Sequence, residues 1–208
     1  MKQIEYKISS NLVQIIENSK EQKNLLIEYI IQQFDEYLIK WNEAKDFGIS
    51  NKYIVKAFYR IIDEIWDKHP NKESISCKKG CSFCCHINVD IFPEEAEIIL
   101  DEIGMIDKEQ IEHLKEQIGL DVMERPLIKN SACVFLKSGQ CSIYDVRPIN
   151  CRKFFVINNP LECDATKSEN HFIQIQCILD MEIIHCFLAS VLGNQIGMSE
   201  AFLNLKLN

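Results

Sequence analysis

The chain has 208 residues with a hydrophobic fraction of 47%, and its formal net charge at pH 7 is −8. This length suits one ordinary domain with an appendage, and this apolar fraction suffices for a hydrophobic core. Because the net charge is negative and lysines and arginines form no basic stripe, the sequence gives no electrostatic support for nucleic-acid binding.

Residues 1–69 are predicted to form a helical arm, and they contain no cysteine. Apolar residues recur at steps of three and four along the first half of this arm, which is the period of one helix face. The pair Phe47-Gly48 breaks that pattern, and Ser50 suits the N-cap of a second amphipathic helix. We expect these helices to pack on the region that follows or to dock a protein partner.

Residues 70–165 form the predicted cysteine-cluster metal-binding domain. Its densest cysteines lie in a loop over residues 75–92. Two short helices are predicted after the loop, because Pro93 suits a first helical turn and Asp107 with Gln110 resembles a capping box. Residues 120–131 carry breakers and are predicted to be irregular.

A short β-hairpin is predicted next, since two apolar stretches flank a turn sequence at residues 137–139. Arg147-Pro148 then opens a turn or a short helix. Residues 166–208 are predicted to form a C-terminal helix that packs on the same core. The expected fold class is therefore mainly α, with helical arms flanking a cysteine-rich centre that contains a short hairpin.

Eight of the ten cysteines lie between residues 77 and 163. Thiolate is the natural ligand for zinc and for iron–sulfur clusters, and close spacing lets several sulfurs converge on one site. We therefore predict eight metal ligands, which are Cys77, Cys81, Cys84, Cys85, Cys133, Cys141, Cys151 and Cys163. A Zn²⁺ site and a [4Fe–4S] cluster both satisfy this pattern, in one site or two. Because the side chains of Cys84 and Cys85 diverge, each is expected to serve a different metal atom.

The remaining cysteines, Cys177 and Cys186, lie on apolar stripes and are predicted to be core residues. His185 also faces an apolar stripe and is expected to be a hydrogen-bonded core residue. His86 directly follows the cluster, but the surplus of cysteine makes it unnecessary as a ligand.

Other chemistry fits these residues less well. The spacing of Cys77, Cys81 and Cys84 is that of the radical S-adenosylmethionine signature, but the β/α barrel of such enzymes needs alternating strands and helices, which this sequence does not predict. The N-terminus lacks the apolar region of a signal peptide, so we expect a cytoplasmic protein whose thiols stay reduced and form no disulfides. No run of about 18 apolar residues predicts a membrane span.

Two segments carry an ordered combination of motifs, CKKGCSFCC at residues 77–85 and CVFLKSGQCSIYDVRPINCRKF at residues 133–154. This combination resembles the YkgJ family of cysteine-cluster proteins, also called CxxCxxCC. The resemblance implies a zinc- or iron-chelating domain over about residues 75–165, in which Cys163 takes the place of the family's last cysteine. The first gap differs, because three residues separate Cys77 from Cys81 where the family label has two.

The resemblance also implies roles for residues between the cysteines. Arg147 and Pro148 would fix the turn that aims Cys151, proline by restricting φ, and Arg147 would donate hydrogen bonds to sulfur or to a loop carbonyl. Tyr144 and Phe154 would shield the site from water.

Three functions stay open on the sequence alone. The leading hypothesis is a metal-chelating protein. One alternative is a metal-dependent enzyme, either a redox enzyme or one that modifies proteins, because a similar cysteine set occurs in flagellin lysine methylases. The other alternative is a metal-stabilised protein-interaction module that uses the N-terminal helices.

Overall fold

The computed structural model describes residues 7–119, 132–156, 159–163 and 178–207. Its helices, in chain order, are α1 (Ser10–Asn18), α2 (Lys23–Asp46), α3 (Asn51–Lys68), α4 (Pro93–Ile103), α5 (Lys108–Glu116), α6 (Ile149–Lys153), α7 (Leu179–Leu192) and α8 (Met198–Leu207). Its strands are β1 (Asp90–Ile91), β2 (Leu136–Lys137), β3 (Gln140–Cys141) and β4 (Ile196–Gly197). The strands form short antiparallel pairs, so the mainly α fold with a short hairpin is confirmed.

The described chain divides into two compact units. One unit runs to Asp67 and includes the segment that ends at Asn194. The other begins at Lys68 and takes up the chain again at Gln195. The predicted division at residues 69 and 165 stays a prediction.

Aromatic side chains form the centre of the first unit, where Phe187 of α7 meets rings from α2 and α3. Its ring centroid lies 6.0 Å from that of Phe34, 5.6 Å from that of Tyr37 and 5.6 Å from that of Phe58. Edge-on and tilted ring pairs stabilise a core beyond the area that they bury. The apolar faces predicted for α2 and α3 therefore meet around α7.

A two-stranded ladder and two helices frame the second unit. β1 pairs with β4 so that Ile91 lies opposite Ile196. α8 follows β4 directly and packs against α4 and α5. Phe202 of α8 also meets Phe135, which precedes β2, with ring centroids 5.2 Å apart. These contacts hold the hairpin in the same unit as the cysteine loop.

The ends of two helices lie where the sequence predicts them. α2 ends at Asp46, directly before Phe47, and Gly48 takes the left-handed φ of 74° that glycine adopts without strain. Asp107 accepts a hydrogen bond from the N–H of Gln110 at 2.8 Å, and Gln110 accepts one from the N–H of Asp107 at 3.1 Å. The predicted capping box is therefore confirmed.

Some sequence predictions lie outside the described residues. They concern the irregular segment over residues 120–131, the core position of Cys177 and the start of the C-terminal helix. Among the helices that the structure describes, none combines the length and the apolar character needed to cross a membrane.

Candidate metal centre

The cysteine loop, defined here as residues 76–90, has no hydrophobic anchor of its own. No residue between Ser76 and Asp90 is buried, whereas Ile91 and Phe92 directly after it are fully buried. The N–H of Ser76 donates to the carbonyl of Val156 at 3.1 Å, which ties the start of the loop to the segment after α6. A loop this poor in core contacts needs another source of order, and bound metal is the usual one.

Backbone turns place the four thiols of this loop. The N–H of Cys81 donates to the carbonyl of Lys78 at 2.9 Å, and Gly80 supplies the φ of 103° within that turn. A short 3₁₀ helix follows, in which the N–H of Cys85 donates to the carbonyl of Ser82 at 3.0 Å. The sequence between the cysteines is therefore turn-forming, as the loop prediction requires.

The predicted hairpin brings two more cysteines to the loop. β2 and β3 are joined by Ser138 and Gly139, whose φ values of 51° and 74° are typical of a type I′ turn. Cys141 lies in β3, and Cys133 lies just before the hairpin. The N–H of Cys133 donates to the carbonyl of Cys85 at 2.6 Å. The hairpin and the cysteine loop are thus joined through the backbones of two cysteines.

Cys151 lies on α6, and a buried carboxylate fixes where that helix starts. Glu95 is fully buried, and one of its oxygens accepts a hydrogen bond from the N–H of Ile149 at 2.7 Å. Its other oxygen accepts one from the N–H of Phe92 at 2.9 Å, at the start of α4. One carboxylate therefore satisfies donors at the N-termini of two helices and sets the position of Cys151.

Two arginines fix the turn between Cys141 and Cys151. Arg147 donates to the carbonyl of Tyr144 at 2.8 Å, and its guanidinium lies 3.8 Å from the centroid of that ring. Arg152 is buried and donates to the carbonyls of Arg147, at 2.8 Å, and of Asp145. The carbonyl that Arg147 reaches is that of Tyr144, outside the cysteine loop, so the bond expected from Arg147 to a sulfur or to a loop carbonyl stays a prediction.

The four loop thiols interact as two pairs. A hydrogen bond with Cys77 is the largest influence that raises the pKa of the Cys81 thiol, and burial adds to it. Cys85 donates to Cys84, so the pKa of Cys85 is raised and that of Cys84 is lowered. The pKa values of two consecutive thiols thus shift in opposite directions.

Thiols from three elements form one electrostatic group. Burial raises the pKa of Cys151, and negative charge on Cys84, Cys133 and Cys141 raises it further. Cys85 responds to the same three neighbours, although its hydrogen bond with Cys84 is the largest influence on its pKa. The thiols of the loop, the hairpin and α6 therefore lie close enough for their charges to influence one another.

Arg147 supplies positive charge to this group. Burial raises the pKa of Cys141, and the Arg147 guanidinium acts against that rise. The pKa of Cys84 is lowered first by Cys85 and to a smaller extent by Arg147. Arg147 thus favours the thiolate form of Cys141 on the hairpin and of Cys84 on the loop. Thiolate is the form of cysteine that binds a metal.

Two further residues bear on the donor set. Cys163 ends a short 3₁₀ helix, Pro160–Cys163, that packs against the helix Phe83–His86, although its side chain lies outside the described part. His86 has a buried Nδ1 atom with no hydrogen-bond partner among the described residues. A buried ring nitrogen without a hydrogen-bond partner lowers the stability of the fold. A metal ion would supply that partner, because imidazole is a common metal ligand. Sequence reasoning set His86 aside because it counted donors and could not detect the burial.

The donor chemistry fits a thiophilic metal. Seven thiols lie in one unit, and the charges of neighbouring thiols raise the pKa of both Cys141 and Cys151 in addition to burial. A cation that displaces those protons removes both penalties. Zinc and iron are the metals that thiolates hold at such sites.

Comparison with known families agrees with this chemistry. Residues 76–177 match the family model CxxCxxCC, described as "Putative zinc- or iron-chelating domain". The chain matches no curated protein and no solved structure. The resemblance to a cysteine-cluster family is confirmed, while the YkgJ label stays a prediction. Residues 76–177, just under half of the chain, are therefore similar to the CxxCxxCC domain, and the cysteines of the loop, the hairpin and α6 all lie within this match.

Proposed function

We propose that the chain chelates metal through eight cysteines in a centre that holds at least two metal atoms. The proposed ligands are Cys77, Cys81, Cys84, Cys85, Cys133, Cys141, Cys151 and Cys163, and His86 is an additional donor. The proposal is supported by the backbone hydrogen bond that joins Cys133 to Cys85, and by the influence that thiols of the loop, the hairpin and α6 have on one another's pKa. Zinc and the irons of a cluster are both compatible with this donor set.

Two or more metal atoms suit the vicinal pair better than one does. Cys84 and Cys85 are consecutive residues, so their side chains leave the backbone in different directions. Cys84 responds to the charge of Cys81, whereas Cys85 responds to the charges of Cys133 and Cys141. Cys84 also raises the pKa of Cys141 and of Cys151, so both thiols of the pair interact with the hairpin. The proposal that each sulfur serves a different metal atom therefore rests on the diverging directions of two consecutive side chains.

The first role of the metal in this proposal is to hold the cysteine loop. Since no residue from Ser76 to Asp90 is buried, the metal–sulfur bonds replace the core that this loop lacks. Structural metal sites contribute free energy to folding directly, so the metal-free loop should lose its order.

Anaerobic purification of the full chain, followed by metal and sulfide analysis, tests the proposal. A brown protein that absorbs broadly near about 400 nm and holds about four irons and four sulfides identifies a cubane. A colourless protein with two zinc ions identifies a zinc centre. A folded chain that retains no stoichiometric metal, and takes up neither metal in titration, would overturn the proposal.

A protein-interaction role is a second candidate, supported by the surface of α2. Leu25, Ile31 and Ile39 expose 69%, 55% and 59% of their area, and exposed apolar residues on one helix are typical of docking surfaces. Photo-crosslinking from position 39 tests this role. A protein captured there should bind the full chain, and Ile39→Glu should weaken that binding while the metal content stays constant. Equal affinity of Ile39→Glu would contradict it.

The enzyme alternatives, a methylase-like or a redox activity, stay predictions. They require screening of the metal-loaded protein against candidate substrates.

A further inference from the structure

A second group of metal-ligating side chains lies in the first unit, outside the matched domain. Glu182, His185 and Cys186 occupy positions i, i+3 and i+4 of α7, so they share one helix face. Each offers one ligand atom, and these three atoms all lie within 4.8 Å of one another. None of the three belongs to the cysteine loop or to the hairpin, so the proposed cysteine centre does not use them.

The group is buried but not sealed. Glu182 is fully buried, Cys186 is 1% exposed, and the His185 side chain is 14% exposed. Nδ1 of His185 lies 3.4 Å from the carboxylate of Glu182. The edge of His185 leaves a route from solvent, while the carboxylate and the thiol are withdrawn from water. A buried carboxylate is costly unless a cation or strong hydrogen bonds compensate it.

Ser9 contacts two of the three side chains from the neighbouring helix α1. Its hydroxyl donates to the carboxylate of Glu182 at 2.6 Å, and its backbone N–H donates to the sulfur of Cys186 at 3.4 Å. Both bonds hold their acceptor atoms in place. Metal ligands characteristically carry such supporting hydrogen bonds, which orient them and raise their affinity.

The core positions predicted for these residues, hydrogen-bonded for His185 and apolar for Cys186, explain only part of this arrangement. They account for the contact between His185 and Glu182. These core positions do not explain why the Cys186 sulfur lies within 4.8 Å of ligand atoms on both His185 and Glu182. Nucleophilic catalysis does not account for the thiol either, because Cys186 is 1% exposed and no substrate reaches it.

We propose that Glu182, His185 and Cys186 bind one divalent transition-metal ion of the zinc class, with water in the fourth position. Zn²⁺ accepts carboxylate oxygen, imidazole nitrogen and thiolate sulfur, and three protein ligands with one water is its habitual open coordination. A thiolate, a carboxylate and a neutral imidazole together neutralise the ion. The assembly is therefore uncharged, as its burial requires.

Metal content of the full chain, purified in the presence of zinc, tests this site. Glu182→Gln, His185→Gln and Cys186→Ser should each lower the zinc content by about one equivalent per chain. His113→Gln serves as the matched control, because His113 is a half-buried histidine on α5 that belongs to neither proposed metal centre. Circular dichroism establishes that each variant is folded. Folded variants that keep the wild-type zinc content would overturn the site.

X-ray absorption at the zinc edge gives a readout that does not depend on the stability of these variants. The wild-type spectrum should contain imidazole scattering that His86→Gln leaves in place. If the wild-type spectrum lacks imidazole scattering, or if His86→Gln removes all of it, the site on α7 is excluded.

Discussion

Cys133 donates its backbone N–H to the carbonyl of Cys85 at 2.6 Å, and this bond connects the two cysteine-bearing segments at cysteines themselves. The positions of the two sulfurs are therefore coupled through the main chain and not only through a metal. A change at either cysteine should affect the other segment.

Replacing one cysteine of the vicinal pair should reduce metal binding without abolishing it. If Cys84 and Cys85 serve different metal atoms, Cys84→Ser and Cys85→Ser should each lose part of the metal, and the double variant should lose more than either. Metal analysis of the folded proteins measures this, with Lys78→Ala as the control because Lys78 is exposed on the same loop. Equal losses in both single variants and the double variant would mean that the two sulfurs bind the same atom.

Arg147→Lys should weaken metal binding by roughly tenfold to a hundredfold, the usual effect of losing a residue that supports metal ligands. Lysine keeps the charge but cannot both stack on Tyr144 and donate to its carbonyl as the guanidinium does. Competition with a chromophoric chelator measures the affinity. Lys137→Arg, on the exposed hairpin, is the control. Unchanged affinity in Arg147→Lys would show that charge alone matters at this position.

Glu95→Gln should destabilise the protein by about 1–3 kcal/mol, because an amide has one acceptor oxygen where the carboxylate uses two. One N–H, of Phe92 or of Ile149, then loses its partner in a buried position. Urea unfolding measures the change, and Glu102→Gln, an exposed position on the same helix, should have little effect. A stability change in Glu95→Gln no larger than in this control would contradict the bridging role.

Local features of this site were predictable from sequence, and its long-range contacts were not. The hairpin was predictable because Gly139 and its neighbours specify a turn within a few residues, and α6 because Pro148 restricts the chain next to it. The role of Glu95 was not, since its partner Ile149 lies 54 positions away. The contact between Ser9 and Glu182 spans 173 positions. Such pairs arise from packing, which periodicity does not encode.

The first unit should lose stability in alkali as the pH rises from 10 towards 12. Burial, and next the negative charge of Asp180, raise the pKa of Tyr37 from 10.0 to about 12. Within that window the folded state holds a proton that the unfolded state has released, so the free energy of unfolding falls as the pH rises. Urea unfolding followed by helical ellipticity measures the slope. Tyr37→Phe should flatten it, whereas Tyr53→Phe, which removes an exposed tyrosine, should not.

Removing the metal should release the cysteine loop and leave the helical core of the first unit folded. The loop has no buried residue between Ser76 and Asp90, so its amides depend on metal–sulfur bonds for protection. Phe187 packs on aromatic rings of α2 and α3, none of which belongs to the cysteine centre. In the variant Cys186→Ser, which lacks the zinc site proposed on α7, hydrogen exchange before and after chelation should therefore show faster exchange in residues 76–90 and little change around Phe34 and Phe58. Uniform loss of protection in both regions would mean that the metal controls global unfolding. Unchanged protection of the loop would mean that the metal does not hold it, contrary to the structural role proposed for this centre.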